Sequence, residues 1–491
     1  MNQSTPCENR TISHSAAIAL SAGGIHLALA GVLILVTPAI AQGEQPALQP
    51  LLGKTNFTYL GAFALPQAQL GGSSFNYGGH AITPYHDPTT VTETLFLEGH
   101  AWYPGQVAQV RIPSEFAMSG NSSSLPMAQV LQPFHDITDG QMDTAGNYTT
   151  FVYGMLPYNG RLVVAVSEYY DADGSQVNTH GVSGFELSDD TDFTGFHQFD
   201  AVASPRSLGG YMTTIPIEWR ELFGGPALSG QSCLSIISNG SSGPAATVFD
   251  PDDVAVRDPI PGITVLYYPL SHPLAQGDTQ NPWFNLATQI VGIAFPPGSR
   301  SVLFIGRHGT GPYCYGTGEE CDDPADSSKG THAYPYQHQV WAYDAIELVS
   351  VKERLREPWE IRPYATWTLD DLDTSGNARM TGAGYDPLTG RLYIAQAYGD
   401  YPRIDVFRLT VPVDTAPVLE AIPDGDGALR VILTAAPGIV FAIQASSDLV
   451  DWTTVVSGPT DSAGQLDYLE IEPWTMACRF YRSVMVSNSL P

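Results

Sequence analysis

The chain has 491 residues, with 50 acidic against 21 basic side chains and a formal charge of −29. That balance excludes the basic footprint that nucleic acid or an anionic membrane requires. Lysines such as Lys54, Lys329 and Lys352 are scarce, so an anion site would be built from arginine, while the overall acidity suits solubility and salt tolerance outside a cell.

In chain order, Arg10 precedes an apolar run from Ile25 to Val36, and Ala39-Ile40-Ala41 supplies a small-x-small cleavage pattern. Residues 1-41 therefore read as a signal peptide with Gln42 as the first mature residue, a retained anchor being the alternative. The run is short for a membrane span, and no other segment reads as one.

Five apolar strands then recur at roughly seventy-residue intervals, a spacing scale that signals a repeat architecture: Leu95–Gly99, Leu162–Ser167, Leu234–Ser238, Val302–Gly306 and Leu392–Gln396. Each follows an apolar segment and a Pro/Gly/Asn turn, and each precedes a glycine-rich loop and another alternating strand. The pattern parses into four-stranded blades. The first takes Ala81–Tyr85, Thr94–Gly99, Gln106–Ile112 and Ala128–Pro133; the second Thr149–Met155, Leu162–Ser167, Val182–Leu187 and Phe196–Val202. The third takes Tyr211–Ile215, Leu234–Ser238, Ala246–Phe249 and Ile263–Tyr268; the fourth Gln289–Phe295, Val302–Gly306, Gln339–Tyr343 and Ala365–Leu369. The fifth has Thr381–Tyr385, Leu392–Gln396 and Ile404–Leu409, and Phe57–Leu65 supplies its fourth strand. Turns such as Asn159-Gly160 and Asp386-Pro-Leu-Thr-Gly390 join inner strands. Together they resemble those of secreted β-propeller proteins over 56-410. The fold class expected is all-β, a five-bladed β-propeller followed by a small C-terminal β-sandwich.

Beyond Val411-Pro-Val, Phe441 to Leu449, Asp451-Trp452-Thr453 and Arg479-Phe-Tyr-Arg482 resemble the small fibronectin-like domain that ends many secreted bacterial proteins. The resemblance implies a β-sandwich over 416-491 with a structural or attachment role.

In such a blade the loops leaving the second strand and those leading into the first open on one face, where function tends to gather. The first set carries His100, Trp102, Glu168, Tyr169, Asn239, Arg307, His308 and Tyr398; the second carries Asn76, Tyr77, His80, Tyr211, Trp283 and Arg379. Imidazoles and a carboxylate can move protons, so His80, His100, Glu168 and His308 are the candidate catalytic residues. Arg307 would neutralise an anionic group. Asn76, Tyr77, Trp102, Tyr169, Tyr211, Asn239, Trp283, Arg379 and Tyr398 would bind a sugar by stacking and hydrogen bonding. A histidine ending a strand can equally be an inter-blade strut.

Glycoside hydrolysis needs paired carboxylates, β-elimination a base with a carboxylate-neutralising group, and a metal-assisted reaction three ligands. No cofactor is required by the sequence; a divalent metal at the channel mouth, or a structural calcium, is an open alternative. The start of a calcium loop at Asp171-Ala-Asp173-Gly174-Ser175 lacks the downstream acid and reads better as a turn. The Gly309–His338 insertion has the length of a lid or binding loop, and Cys314 and Cys321 suit a disulfide there; Cys233 and Cys478 read as buried thiols. The expected partner is an extracellular polysaccharide or glycan, with polysaccharide lyase or glycoside hydrolase as activity. A non-catalytic propeller binding a glycan or protein at the cell surface is the rival reading.

Overall fold

The computed structural model describes residues 18–21, 46–88, 92–120, 123–146, 149–171, 173–234, 240–324, 326–372, 379–398, 402–412, 417–424, 428–435, 440–461, 464–471 and 478–486. The chain forms two compact units, Gln45–Val411 and a second comprising the residues from Pro412 onward with the N-terminal segment that contains Ile18–Ser21. Both are β-structures. Among the described residues the longest helix is Ala345–Lys352, capped where the Asp344 carboxylate accepts the Ile346 N–H at 3.0 Å, and none is long and apolar enough to cross a membrane.

The larger unit lays down its sheets in chain order. Sheet 1 is Ile82–Asp87, Thr92–Glu98, Gln106–Arg111 and Gln129–Asp136; sheet 2 is Thr150–Tyr158, Arg161–Glu168 and His180–Ser183. Sheet 3 is Met212–Thr214, Ala227–Ser229, Ala246–Phe249 and Ile263–Leu266; sheet 4 is Gln289–Ala294, Ser301–Gly309, Tyr336–Asp344 and Ala365–Thr368. Sheet 5 is Arg379–Asp386, Arg391–Tyr398 and Arg403–Leu409, and Phe57–Ala64 completes it by pairing antiparallel with Arg403–Leu409; a parallel pairing of Gly292 with Ala383 joins sheets 4 and 5 edge to edge into one run of eight strands. The first strand of each sheet neighbours the first strand of the next, and that of sheet 5 returns to that of sheet 1.

Two features of the sequence produce this arrangement. The second strands are apolar on successive residues because both faces are buried between sheets: Leu95 and Leu97 pack with Val110, Phe63 and Ile404, while Phe96 packs with Met155 and Val164 on the other side. The first strands carry glycine where neighbouring backbones meet. A Cβ on Gly154 would lie 1.9 Å from the Gly210 carbonyl oxygen, and one on Gly382 2.1 Å from that of Gly79.

Three details depart from the sequence reading. The second strand of sheet 3 is Ala227–Ser229; of the expected Leu234–Ser238, residues 235–238 lie outside the described residues. The segment expected to be the fourth strand of sheet 2 contributes Phe199–Asp200, which pairs in parallel with Ile260–Pro261. Most consequentially, the strand expected to stop at Gly306 continues to Gly309, because Tyr336, Gln337 and His338 extend its partner. The insertion also has structure of its own: Cys314–Gly316 pairs with Gly330–His332, and a disulfide joins Cys314 to Cys321 across a Cα separation of 5.8 Å.

In the smaller unit, one sheet is Ile18–Ser21, Cys478–Met485, Val440–Ser446 and Thr453–Pro459, and another is Val418–Asp424, Ala428–Thr434 and Gln465–Glu470. Val431, Leu433, Phe441, Ile443 and Tyr481 form its apolar core. Trp452 lies beneath the Arg482 guanidinium, 4.3 Å from its ring centroid, and donates its indole N–H to the Leu449 carbonyl.

Candidate functional site at the starts of the inner strands

The residues leading into the first strands and ending the second strands meet at one end of the sheets. Here Glu98, the last residue of its strand, is buried at 1% exposure. One carboxylate oxygen accepts from His80 twice, from ring Nδ1 at 3.1 Å and from the backbone N–H at 3.2 Å. A carboxylate only accepts, so Nδ1 carries a proton and Nε2 is the ring nitrogen left to exchange one. Nε2 has no partner among the described residues, nor does the other Glu98 oxygen, which is buried. The Tyr153 ring stands edge-on to His80 at 5.8 Å, and burial pushes its phenol up, with Cys233 adding to the rise and Arg206 opposing it.

Aromatic rings surround this pair. Tyr169, Phe151 and His80 follow one another at centroid separations of 6.0 and 6.3 Å. Nearby, His100 contacts Tyr77, Trp102 and Tyr103 at 5.2, 5.2 and 5.7 Å. Its Nδ1 accepts the Trp102 backbone N–H at 3.1 Å, and burial lowers its pKa despite the opposing charge of Glu98. His100 is thus a neutral part of an aromatic rim on which Trp102 is 83% exposed and Tyr77, Tyr103 and Tyr169 are about half exposed.

Other sequence-predicted residues are placed differently. Arg307 and His308 do not share a cavity, because side chains alternate along a strand that runs through both. His308 faces Trp341, and both ring nitrogens are engaged, Nδ1 with the Thr288 hydroxyl at 2.8 Å and Nε2 with the Asn281 carbonyl at 2.7 Å. Burial lowers its pKa. Its position is that of a strut, the alternative for a strand-ending histidine. Tyr211 is core: its hydroxyl donates to the Ala245 carbonyl at 3.0 Å and accepts the Ala245 N–H at 3.1 Å. Glu168 is fully buried with its carboxylate against Gly146, where a Cβ would come within 1.9 Å of Oε1. Trp283 is 41% exposed, and Asn76 is half-buried beside Tyr77. Arg379 holds Asp326 at 2.9 Å. Asn239 and the Tyr398 side chain lie outside the described residues.

Asp171 accepts the Ser175 N–H at 2.8 Å and Asp173 the same N–H at 3.2 Å, so both carboxylates fasten a turn. Among the described residues, no three His, Cys, Asp or Glu side chains are grouped to hold a metal.

The sequence reading missed Glu98 and Tyr153. The signal for Glu98 was present, since it closes an apolar strand at the position Glu168 occupies in the next sheet. It also missed a cavity of about 360 Å³ at the opposite ends of the inner strands, lined by Tyr85, His86, Tyr158, Phe185, Thr213 and Asp386. There His86 Nε2 bonds to Asp386 at 2.8 Å, and Asp386 also accepts from the Leu388 N–H at 3.0 Å and the Thr389 hydroxyl at 2.5 Å.

No family model and no curated protein matches the chain. Among solved structures it is similar to Drosophila Semaphorin 2a at 11% identity, covering 88% of this chain and 77% of that one, with a TM-score of 0.28. It is similar to the catalytic domain of a Coprinopsis cinerea GH62 α-L-arabinofuranosidase at 10% identity, covering 87% and 99%, with a TM-score of 0.27. A third, the polysaccharide lyase Uly1, is 10% identical over 83% of this chain and 58% of that one, with a TM-score of 0.16.

Proposed function

We propose that the chain is a secreted carbohydrate-active enzyme, a five-bladed β-propeller with a C-terminal fibronectin-like β-sandwich, acting on a glycan where the inner strands begin. The closed succession of five sheets supports the propeller, and the two sheets around one core support the sandwich. The observation that carries the activity is the His80–Glu98 pair. A buried carboxylate fixes the imidazole tautomer and stabilises the imidazolium that forms when Nε2 takes a proton. Tyr153 stands beside it as a phenol that burial keeps protonated and able to donate. The exposed rings of Tyr77, Trp102 and Tyr169, with Asn76, would hold sugar faces above the pair.

Both a lyase and a glycosidase can use this pair. A lyase needs His80 to abstract a proton; a glycosidase would draw its second carboxylate from Glu168. The exposed aromatic rim by itself favours the rival, a non-catalytic glycan binder. A polysaccharide panel scored for both reducing ends and unsaturated products separates the three. Glu98→Gln should lower turnover about a hundred-fold, the scale of a general acid or base, with little change in melting temperature. Activity that survives both Glu98→Gln and His80→Ala would refute the acid–base assignment.

A further inference from the structure

The Arg307 side chain makes no hydrogen bond and no ion pair among the described residues, although the residue is only 8% exposed and its Nε is completely buried. It lies on the face of sheet 4 turned toward sheet 5, on the side of Ile305 and Val340, which pack with Met380 and Ala383. Its guanidinium is stacked on Tyr336, 4.2 Å from the ring centroid.

The surrounding charges are committed elsewhere. Asp323 pairs with His332 at 3.1 Å and accepts from the Tyr336 hydroxyl at 3.3 Å. Asp326 accepts from Arg379 at 2.9 Å and from the Ser328 N–H at 2.9 Å. Burial alone would raise the Asp326 carboxyl, yet these bonds hold it down to about 2. Burial lowers the Arg307 pKa to about 10, with Arg379 pushing the same way and Tyr336, Asp326 and Asp323 opposing. A desolvated cation with unmet donors costs folding stability and is retained where a ligand supplies the acceptor.

We propose that Arg307, stacked on Tyr336, is a subsite for a sugar carboxylate, so that the glycan handled at this end of the sheets is a uronate polymer. This rests on the carbohydrate-active reading and specifies its substrate class. A planar guanidinium matches a carboxylate through two parallel N–H donors, and Tyr336 holds that plane in place. The disulfide-bearing insertion contributes Asp323, Asp326 and Tyr336, so it forms a wall of the subsite.

The test is a titration of the full chain at low ionic strength with sodium D-glucuronate, glucose and sodium sulfate, read by calorimetry and by melting temperature. Glucuronate should bind and raise the melting temperature, and glucose should do neither. Arg307→Met, which keeps the stem over Tyr336, should raise the melting temperature of the unliganded protein and weaken glucuronate binding at least tenfold. No response of the parent protein to glucuronate overturns the proposal without recourse to any variant. Sulfate binding as tightly as glucuronate overturns the carboxylate assignment, and an Arg307→Met protein that still binds glucuronate overturns the location. Glucuronate binding without turnover of any polysaccharide would leave the subsite standing and remove the acid–base reading instead.

Discussion

Acidification should weaken the larger unit through His180, by an amount that can be worked out in advance. This residue is fully buried between Phe199 and Phe249, with ring centroids at 4.7 and 5.5 Å. Its Nε2 lies 3.0 Å from the Ser229 hydroxyl, which itself donates to the Leu208 carbonyl at 2.6 Å. Nε2 therefore carries the proton, and Nδ1 accepts from the Thr179 hydroxyl at 3.0 Å. Burial without an ionic partner pushes the imidazole from 6.5 down to about 3. Because the folded value is the lower one, the unfolded chain binds the extra proton first. The contribution is complete above pH 6.5 and is lost as the pH falls from there toward 3. Over that whole window it amounts to about 5 kcal/mol, and between pH 7 and pH 5 to about 2 kcal/mol. Urea unfolding followed by tryptophan fluorescence at those two pH values should show this drop in the parent, together with any from His308. His180→Phe should start about 1 to 2 kcal/mol less stable at pH 7, for the lost hydrogen bonds, and fall by about 2 kcal/mol less on acidification. An equal fall in parent and variant would refute the reasoning.

Two further outcomes follow from the packing. His308→Ala should cost about 2 to 4 kcal/mol, for two buried hydrogen bonds and the ring's contact with Trp341; thermal melting should show the loss while activity per folded molecule is kept. A chain ending at Val411 should retain the melting transition of the larger unit, because the residues beyond it belong to a separate core; calorimetry of full-length and shortened chains checks this.

The strands were legible where burial on both faces left uninterrupted apolar runs, as at Leu95 to Leu97 and Val302 to Ile305. Sheet 3 was harder because its second strand, Ala227–Ser229, is three residues long, while Leu234-Ser-Ile-Ile-Ser carries a more strand-like composition. The local pattern also ended the second strand of sheet 4 at Gly306, since an arginine and a histidine follow. A partner strand more than twenty-five residues downstream continues the pairing to Gly309, and such long-range pairing has no local signature. That extension put Arg307 and His308 on opposite faces. Glu98 offered the same local signal as Glu168, but what makes it interior is long-range: the Ser73–Gly79 and His80 backbone folds over it. The His100 N–H bonded to the Ser73 hydroxyl at 2.9 Å and the Gly79 N–H bonded to the Glu98 carbonyl at 2.9 Å fix that cover.

Two ends of the inner strands compete as the working face, and the state of their buried charged groups is what the proposed reading rests on. The opposite end has the 360 Å³ cavity, but its charges are engaged: Asp386 accepts from three donors, and Arg391, although its Nε is unpaired, holds Glu93 at 2.6 Å. At the end where the inner strands begin, Glu98 has a buried oxygen with no partner, and Arg206, bonded through its other nitrogens to the carbonyls of Glu168, Tyr169 and Leu234, has an unpaired Nε. Arg307 there has no hydrogen-bond acceptor among the described residues. Each such group costs on the order of 1 to 3 kcal/mol or more, and buried polar groups are otherwise satisfied as a rule. The proposed reading therefore places the ligand at the end where such charged groups are left for it to complete, rather than at the end where the Asp386 carboxylate is satisfied.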